Sequence, residues 1–207
     1  MTPAKRLFDL EGALSLALLL AVPFGLLLLW LLLREGRPLF YCSERMRSPD
    51  QPFTLWKLRS MIPVAEAANT GVSGADKSGR ITPSGAWLRR FRLDEIPQIW
   101  NVLRGDMSFV GPRPPLRRYT ERFPHLYAEV LRARPGLTGL ATLRFHRHEA
   151  RLLAQCHSAA ETEAVYIRRC IPRKARLDLI YLRHRSLCFD LWLLAQTLRV
   201  VLFRIKP

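Results

Sequence analysis

The feature that most constrains this chain is an uncharged, apolar run from Ala13 to Leu33. As a helix these residues would extend about 31 Å, enough to cross the hydrocarbon region of a bilayer. A cleaved signal peptide has an apolar region of only about 7–15 residues, followed by a small-residue cleavage site. No such site follows Leu33. The sequence therefore predicts a membrane helix that stays in the mature protein.

The residues that flank this run leave two topologies open. Cationic residues lie on both sides of it: Lys5, Arg6, Arg34, Arg37, Arg45 and Arg47. The positive-inside rule places both flanks on the cytoplasmic side, which only a helix that enters and turns back can satisfy. Pro23, in the middle of the run, removes a backbone donor and can bend the helix there. Spanning helices also tolerate proline, so a spanning helix and a re-entrant helix both fit.

Charge and apolar content narrow the class of protein. The 207 residues include 33 Lys and Arg against 17 Asp and Glu, a net charge of +16, and 49% are hydrophobic. That apolar content excludes disordered, collagen-like and acidic-tail chains. The charge favours an anionic partner, and nucleic acid, anionic lipid and phosphorylated substrates all qualify. The four cysteines form no C-x-x-C pair, which predicts reduced, buried thiols.

Beyond the apolar run, the pattern predicts short strands and then helices. Residues 37–41 and 53–59 are rich in β-forming side chains and flank the turn residues 48–50, so we expect a hairpin. Residues 69–85 are rich in Gly, Ser and Thr and predict a surface loop. Ser84 is the candidate cap of the helix that follows.

The sharpest helical pattern has four apolar residues at i, i+3, i+4 and i+7, which predicts one buried stripe: Ile96, Ile99, Trp100 and Leu103. Asp94 and Glu95 lie at its start and Gly105 follows its end. Residues 111–115 contain too much proline for a regular element.

The last third of the chain predicts a turn and then more helix. Residues 134–139 indicate a turn, and residues 147–169 a charged helix. The tail from Lys174 onward predicts an amphipathic helix. Such a helix fits a membrane interface and packing on the core equally well.

The adjacent carboxylates Asp94 and Glu95 are the best candidates for chemistry. Acidic residues at a helix start are usually only caps, but here five arginines surround them in sequence: Arg89, Arg90, Arg92, Arg104 and Arg113. A helix start and arginines together attract phosphate, and cations lower the pKa of a carboxylate and keep it ionised as a nucleophile. The chain contains no phosphate loop, dinucleotide fingerprint, nucleophile elbow or H-E-x-x-H motif.

Several blocks of sequence together resemble one known family. Residues 92–114, RLDEIPQIWNVLRGDMSFVGPRP, closely resemble the signature of the bacterial sugar transferases called monotopic phosphoglycosyl transferases. KLRSM at 57–61, TPSG at 82–85 and RPGLTG at 134–139 are similar to further family blocks in the same order. The resemblance runs from Lys5 to about Leu140 and more loosely to the C-terminus.

The resemblance implies transfer of a phosphosugar from a UDP-sugar to a polyprenol phosphate, with release of UMP and a requirement for Mg²⁺. It gives Asp94 the role of nucleophile, through a covalent aspartyl intermediate, and Glu95 a supporting role with the metal or with protons. Both carboxylates are the implied Mg²⁺ ligands. The implied substrate-binding residues are Lys57, Arg59, Arg89, Pro112, Arg113 and Pro114.

The resemblance also implies an α+β, mostly α fold with a re-entrant membrane helix in residues 1–36, bent at Pro23. Residues 37–207 would form a small membrane-associated catalytic domain with a β-hairpin and amphipathic interfacial helices. This domain would lie on the cytoplasmic face of the bacterial inner membrane and initiate exopolysaccharide, O-antigen or glycoprotein glycan assembly. The partners are then a UDP-sugar, polyprenol phosphate and anionic lipid rather than nucleic acid. The sugar, the polyprenol and the oligomeric state stay open.

Two departures from the family pattern qualify this expectation. The family bends its helix at a Ser-Pro pair, whereas this chain has Val22-Pro23, which lacks the hydroxyl. After Leu140 the chain does not follow the common family sequence, which leaves the sugar open more than the reaction. With five residues before Arg6, we expect the minimal form without extra spanning helices. The rival hypotheses are a non-catalytic anchored module that binds nucleic acid or lipid, and a decayed enzyme that serves as a scaffold.

Overall fold

The computed structural model describes residues 1–62 and 79–203. The chain is mostly helical, with one antiparallel hairpin and one short parallel strand pair. The strands are β1 (Phe40–Ser48), β2 (Gln51–Leu58), β3 (Ser108–Val110) and β4 (Gly136–Thr138). The helices are α1 (Pro3–Glu35), α2 (Pro83–Arg90), α3 (Gln98–Arg104), α4 (Arg117–Arg122), α5 (Pro124–Val130), α6 (Leu140–Ala154), α7 (Ala159–Val165), α8 (Ile171–His184) and α9 (Leu187–Phe203).

Helix α1 contains the apolar run and extends well beyond it. The Thr2 hydroxyl caps its start by accepting a hydrogen bond from the Lys5 amide, and the helix continues through Pro23 to Glu35. Within the described residues it is the one helix long and apolar enough to cross a membrane. Only 6% of its most apolar 18-residue stretch is buried. The predicted bend at Pro23 stays a prediction.

Both ends of α1 contact the globular part of the chain. Near the N-terminus, the Arg6 guanidinium donates to the carbonyls of Val102 and Leu103 at 2.6 and 2.8 Å. Near the C-terminus, the Thr82 hydroxyl donates to the Glu35 carboxylate at 2.8 Å. The helix therefore lies along the domain, while much of its apolar surface between these ends stays exposed.

The hairpin prediction is confirmed, with a first strand longer than expected. Strands β1 and β2 pair antiparallel from Phe40 opposite Leu58 to Ser48 opposite Gln51, around a turn at Pro49 and Asp50. Alternate residues of β2, such as Phe53 and Leu55, lie in the main core, which is the period-two burial of a half-covered strand.

The predicted loop at residues 69–85 is partly wrong. Residues 69–78 lie outside the described part of the chain, but Pro83 already begins α2. The cap is Thr82 and not Ser84, because Pro83 fills the first helical position and the Thr82 hydroxyl accepts from the Gly85 amide at 2.9 Å. A Cβ at Gly85 would lie 2.0 Å from the Ser60 carbonyl oxygen, so only glycine lets α2 approach the backbone that follows β2 this closely.

The predicted stripe on α3 is wrong in part. The helix begins at Gln98, and Trp100 is 54% exposed whereas Gln98, Asn101 and Val102 are buried. The reason is a polar anchor: Asn101 accepts from the Trp56 amide and donates to the Thr54 carbonyl, which turns that face of the helix onto β2. Only the Ile99 and Leu103 part of the stripe packs against the core.

The turn predicted at residues 134–139 contains a strand. Strand β4 pairs in parallel with β3 immediately before the proline-rich segment 111–115, which is irregular as expected. A Cβ at Gly111 would lie 2.1 Å from the Arg134 carbonyl oxygen, so the two backbones meet where the sequence has glycine.

The C-terminal helices divide more often than the sequence predicts. The stretch at 147–169 breaks after Ala154, and α7 runs through a π-helical turn, Tyr166–Cys170, directly into α8. The tail is helical but breaks near Arg185. One face of α9 packs Leu193 into the main core, and Leu191 and Leu198 remain exposed on another.

The thiol prediction is half right. All four cysteines are free, and Cys156 and Cys170 are buried as expected. Cys42 and Cys188 are exposed, because they lie on outward-facing positions of β1 and α9.

Candidate active site

The paired carboxylates lie in a short 3₁₀ turn, Leu93–Glu95, between α2 and α3. Arg92 precedes it in the left-handed backbone conformation, with φ of 57°, which residues other than glycine uncommonly adopt. At Arg92 the backbone changes direction, after the end of α2 and before the 3₁₀ turn. Pro97 then delays the regular helix until Gln98, so the two carboxylates precede α3 rather than occupy its first turn.

Three cations surround Glu95. Its carboxylate accepts from Lys57 at 3.0 Å and Arg113 at 3.4 Å, and it pairs closely with Arg92. Burial alone would raise the pKa of Glu95, but Lys57, Arg92 and Arg113 outweigh burial and hold it far below the usual range. In return, the Glu95 carboxylate raises the pKa of Arg113. Glu95 is therefore a fixed negative charge that orders the cations around it.

Asp94 has the opposite surroundings. Its side chain is 7% exposed, and it makes no hydrogen bond or ion pair with any residue that the structure describes. Burial raises the pKa of Asp94 above its ordinary value, although Lys57, Arg89 and Arg92 oppose the rise. The expectation that nearby arginines lower the pKa of this carboxylate is thus wrong for Asp94 and correct for Glu95, because the cations make their direct contacts with Glu95.

Both carboxylates line a cavity of about 590 Å³, together with five of the six residues expected to bind substrate: Lys57, Arg59, Arg89, Arg113 and Pro114. Pro112 is absent from the wall, since it is buried and its carbonyl accepts from the Gly136 amide at 2.9 Å. It therefore helps to join the 111–115 segment to β4.

The cationic residues of the cavity wall differ in the contacts that they already make with the protein and in their exposure. The Arg59 guanidinium donates to the carbonyls of Glu35 and Gly36, at 2.9 and 3.1 Å, and so closes the C-terminus of α1. Arg89 donates through Nε to the Ser60 hydroxyl at 2.9 Å. Arg113 remains 43% exposed on its side chain and is the most accessible of the cations that contact Glu95.

The carboxylates of the site fit a Mg²⁺ ion that binds together with the phosphates of a substrate. Among the described residues, no group of three or more His, Cys, Asp or Glu side chains is placed to hold a metal ion. Mg²⁺ at phosphoryl-transfer sites needs fewer protein ligands, because it commonly takes one or two carboxylates together with substrate phosphates. The Asp94 carboxylate, which no described residue binds, could supply such a ligand. Glu95 would first have to release one of its cations.

The cavity also contains polar residues that the sequence pattern did not single out. Arg45 enters from β1, His146 and Glu149 from α6, and Lys174 and Asp178 from α8. No short motif joins them, because the elements that carry them are far apart in sequence. The only local signal is the i, i+4 spacing of Lys174 and Asp178, which is common on any helix.

Comparison with known proteins shows the family to which the chain belongs. The family described as "Bacterial sugar transferase" matches residues 1–204, which is nearly the whole chain. The chain belongs to the bacterial sugar transferase family. The match includes the hairpin, the carboxylate turn and the C-terminal helices, so the cavity lies wholly within the family region.

Several bacterial sugar transferases are similar to the chain over most of its length. An undecaprenyl-phosphate glucose phosphotransferase of Komagataeibacter xylinus is 32% identical over 205 residues, 96% of this chain and 36% of the relative. A UDP-galactose-lipid carrier transferase of Erwinia amylovora is 38% identical over 150 residues, 66% of this chain and 31% of the relative. The chain thus spans about a third of the length of these two relatives. An uncharacterised sugar transferase of Bacillus subtilis, EpsL, is 33% identical and is covered over 87% of its length.

Proposed function

We propose that this chain transfers a phosphosugar from a UDP-sugar to a polyprenol phosphate and releases UMP. The observation that carries the proposal is a buried Asp94 carboxylate that no described residue pairs with, next in sequence to Glu95 and its three cations. Phosphoryl transfer depends on positioning and charge neutralisation, and this wall supplies both. Two of the relatives, a UDP-galactose-lipid carrier transferase and an undecaprenyl-phosphate glucose phosphotransferase, support the same substrate classes.

In the first step, an Asp94 oxygen attacks the sugar-linked phosphorus. The new bond joins this oxygen to phosphorus, and the bond from phosphorus to the bridging oxygen breaks, so the electron pair leaves with UMP. Asp94 suits this role because no described residue engages its carboxylate, which leaves both oxygens available. The product of the step is an aspartyl-phosphosugar.

In the second step, a phosphate oxygen of the polyprenol phosphate attacks the same phosphorus. The bond to the Asp94 oxygen breaks, the carboxylate re-forms, and a polyprenyl diphosphosugar leaves. Lys57, Arg89 and Arg113 line the cavity and would neutralise the phosphate charge in both steps. A bound Mg²⁺, held by Asp94 and the substrate phosphates with Glu95 nearby, would supply further charge neutralisation.

The lipid substrate requires a site at a membrane surface. Helix α1 brings a long apolar surface to the domain, and Arg59, in the cavity wall, contacts the C-terminal carbonyls of this helix. We propose that the domain lies on the cytoplasmic face of the bacterial inner membrane, because its UDP-sugar donor would come from the cytoplasm. There the reaction would initiate assembly of a surface glycan.

The decisive test replaces Asp94 by Asn, which keeps the shape and removes the nucleophile. The purified full chain in detergent, with Mg²⁺, a panel of UDP-sugars and undecaprenyl phosphate, is expected to release UMP with wild type and not with Asp94→Asn. Mass spectrometry without the lipid acceptor is expected to find a phosphosugar adduct on wild type alone. Asp50→Asn, at the exposed hairpin turn, is the matched control. Wild-type UMP release by Asp94→Asn would refute the nucleophile assignment.

A further inference from the structure

A second group of polar residues lies in the same cavity and has no part in the steps above. We call Arg45, Glu149, Tyr166, Lys174 and Asp178 the second cluster. Its members come from β1, α6, the π-helical turn and α8, which meet only in the folded chain. A π-helical turn is an uncommon feature that often marks a functional site, and here it carries Tyr166 into the cavity wall.

Part of the second cluster is already paired. The Lys174 ammonium donates to both oxygens of Glu149, at 3.0 and 3.1 Å, and to the Tyr166 hydroxyl at 3.2 Å. These contacts hold α6, the π-helical turn and α8 together. They also fix one cation and one carboxylate with known orientation at the cavity wall.

Two other members have no partner within the described part of the chain. The Arg45 guanidinium makes no hydrogen bond or ion pair there, and its Nε atom is fully buried. The Asp178 carboxyl is 7% exposed, lines the cavity and likewise makes no hydrogen bond with a described residue. A buried polar group without a hydrogen-bond partner lowers the stability of the fold, so the Arg45 guanidinium and the Asp178 carboxyl are candidate contacts for a ligand.

The chemistry of the second cluster selects the ligand class. It contains two cationic and two carboxyl side chains, and three tyrosines, Tyr119, Tyr127 and Tyr166, line the same cavity. Two carboxyl groups disfavour a phosphate. Sugar hydroxyls, in contrast, both donate and accept, and the apolar face of a pyranose ring packs on aromatic side chains.

Position also favours the sugar over the base of the donor. The Arg113 guanidinium, which contacts Glu95 at 3.4 Å, lines the same cavity as the second cluster, so the cluster and the carboxylate pair share one wall. In a UDP-sugar the sugar is bonded to the phosphorus that Asp94 would attack, whereas uridine lies beyond the other phosphate.

We infer that the second cluster binds the hydroxyl groups of the donor's sugar and determines which sugar is accepted. Arg45 donates to sugar oxygens, Glu149 and Asp178 engage sugar hydroxyls, and Lys174 holds the Glu149 carboxylate in place for them. This inference rests on the proposed function. A site built to pair with a hydroxyl rejects analogues that lack it, because its own buried groups are then left unpaired.

The test measures binding, so it does not depend on turnover. All variants are made in the full-length Asp94→Asn background, and calorimetry gives Kd for UDP and for UDP-hexoses that differ at C2 and C4. Asp178→Asn and Glu149→Gln are expected to weaken binding of the preferred UDP-hexose about 10-fold or more and to change the order of preference. Their Kd for UDP is expected to stay within about twofold, because UDP lacks the sugar.

Two controls keep the outcomes distinct. Glu44→Gln removes an exposed carboxylate of β1 that does not line the cavity and is expected to leave every Kd unchanged. Asp178→Asn is isosteric and breaks no side-chain hydrogen bond or ion pair with a described residue, so it keeps the test valid should Glu149→Gln fail to fold.

An equal loss of UDP affinity would assign the second cluster to the nucleotide and overturn the inference. Unchanged affinity and preference for all hexoses would also overturn it, and would leave the second cluster a structural element. Failure of the proposed function looks different: wild type would release no UMP, while the effect of Asp178→Asn on hexose binding would persist.

Discussion

At the scale of the residue, two adjacent carboxylates of similar chemistry have different environments. Glu95 takes the direct contacts of Lys57, Arg92 and Arg113, and Asp94 takes none from the described residues. Sequence proximity predicted that arginines surround the pair, and that part is correct. Sequence spacing does not say which carboxylate each guanidinium reaches, because that depends on the left-handed Arg92 and on how β2 and the 111–115 segment approach.

Removal of the Glu95 charge is expected to harm both folding and turnover. Glu95→Gln leaves three cations facing a neutral amide, and loss of one partner from a buried ionic group costs about 3 kcal/mol or more. We expect a lower Tm and a lower kcat, since the cations would shift towards Asp94 and occupy its oxygens. Differential scanning fluorimetry and UMP release measure the two effects. Glu44→Gln, whose ion pair with Arg117 is exposed, is the control, and equal Tm values for both variants would contradict the prediction.

Asp178 gives stability an unusual pH dependence. Burial raises its pKa to about 7, against the opposing charge of Lys174 on the same helix. Tyr127 of α5 lines the same cavity. The folded state therefore binds this proton more tightly than the unfolded state, so the contribution to stability is largest below about pH 4 and falls as pH rises to about 7.

The variant Asp178→Asn removes this dependence. Relative to wild type, its free energy of unfolding is expected to gain about 2–4 kcal/mol between pH 5 and pH 8. Tm measured in detergent across that range tests this, with Asp50→Asn, whose side chain is exposed, as the control. Parallel pH profiles for Asp178→Asn and wild type would show that Asp178 does not titrate near neutrality.

At the scale of the element, local patterns predicted what local interactions decide. The β1–β2 hairpin was predictable, because strand-forming residues flank a turn signal within a short segment. The face of α3 was not, because Asn101 binds β2 backbone that lies more than forty residues earlier. Strand β4 was missed for a similar reason. The glycines of residues 134–139 indicate a turn until β3 is placed against this segment.

Asn101 is expected to be the critical residue of α3. It is fully buried and accepts from the Trp56 amide and donates to the Thr54 carbonyl, at 3.2 and 2.7 Å. Asn101→Ala leaves both backbone groups unpaired, which costs about 1–3 kcal/mol for each buried group. We expect a Tm lower by several degrees and weaker UMP release, as Lys57 on β2 moves relative to Glu95. Arg104→Ala, at the exposed end of α3, serves as the control, and a drop of equal size there would assign the effect to the helix and not to the anchor.

At the scale of the whole molecule, helix α1 is joined at both ends to the part of the chain that forms the cavity. Asp9 of α1 accepts from the Ser108 hydroxyl and the Phe109 amide, which lie just before the 111–115 segment of the cavity wall. Arg59, in that wall, binds the other end of α1. The apolar run of α1 was predictable from the sequence but these contacts were not, because they join residues as many as 100 positions apart. They link the placement of α1 to the shape of the cavity.

These contacts lead to a prediction of topology that does not depend on the bend at Pro23. Because both ends of α1 bind one domain, both ends are expected on the side of the membrane where that domain lies. Single cysteines at Thr2, Arg37 and the hairpin residue Asp50 are introduced after Cys42 and Cys188 are replaced by Ser, while the buried Cys156 and Cys170 stay. A membrane-impermeant maleimide should label all three in inverted vesicles and none in spheroplasts. Leu18→Cys, in the exposed apolar part of α1, should resist the reagent in both preparations. Labelling of residue 2 in spheroplasts, with residues 37 and 50 protected, would instead show that α1 spans the bilayer.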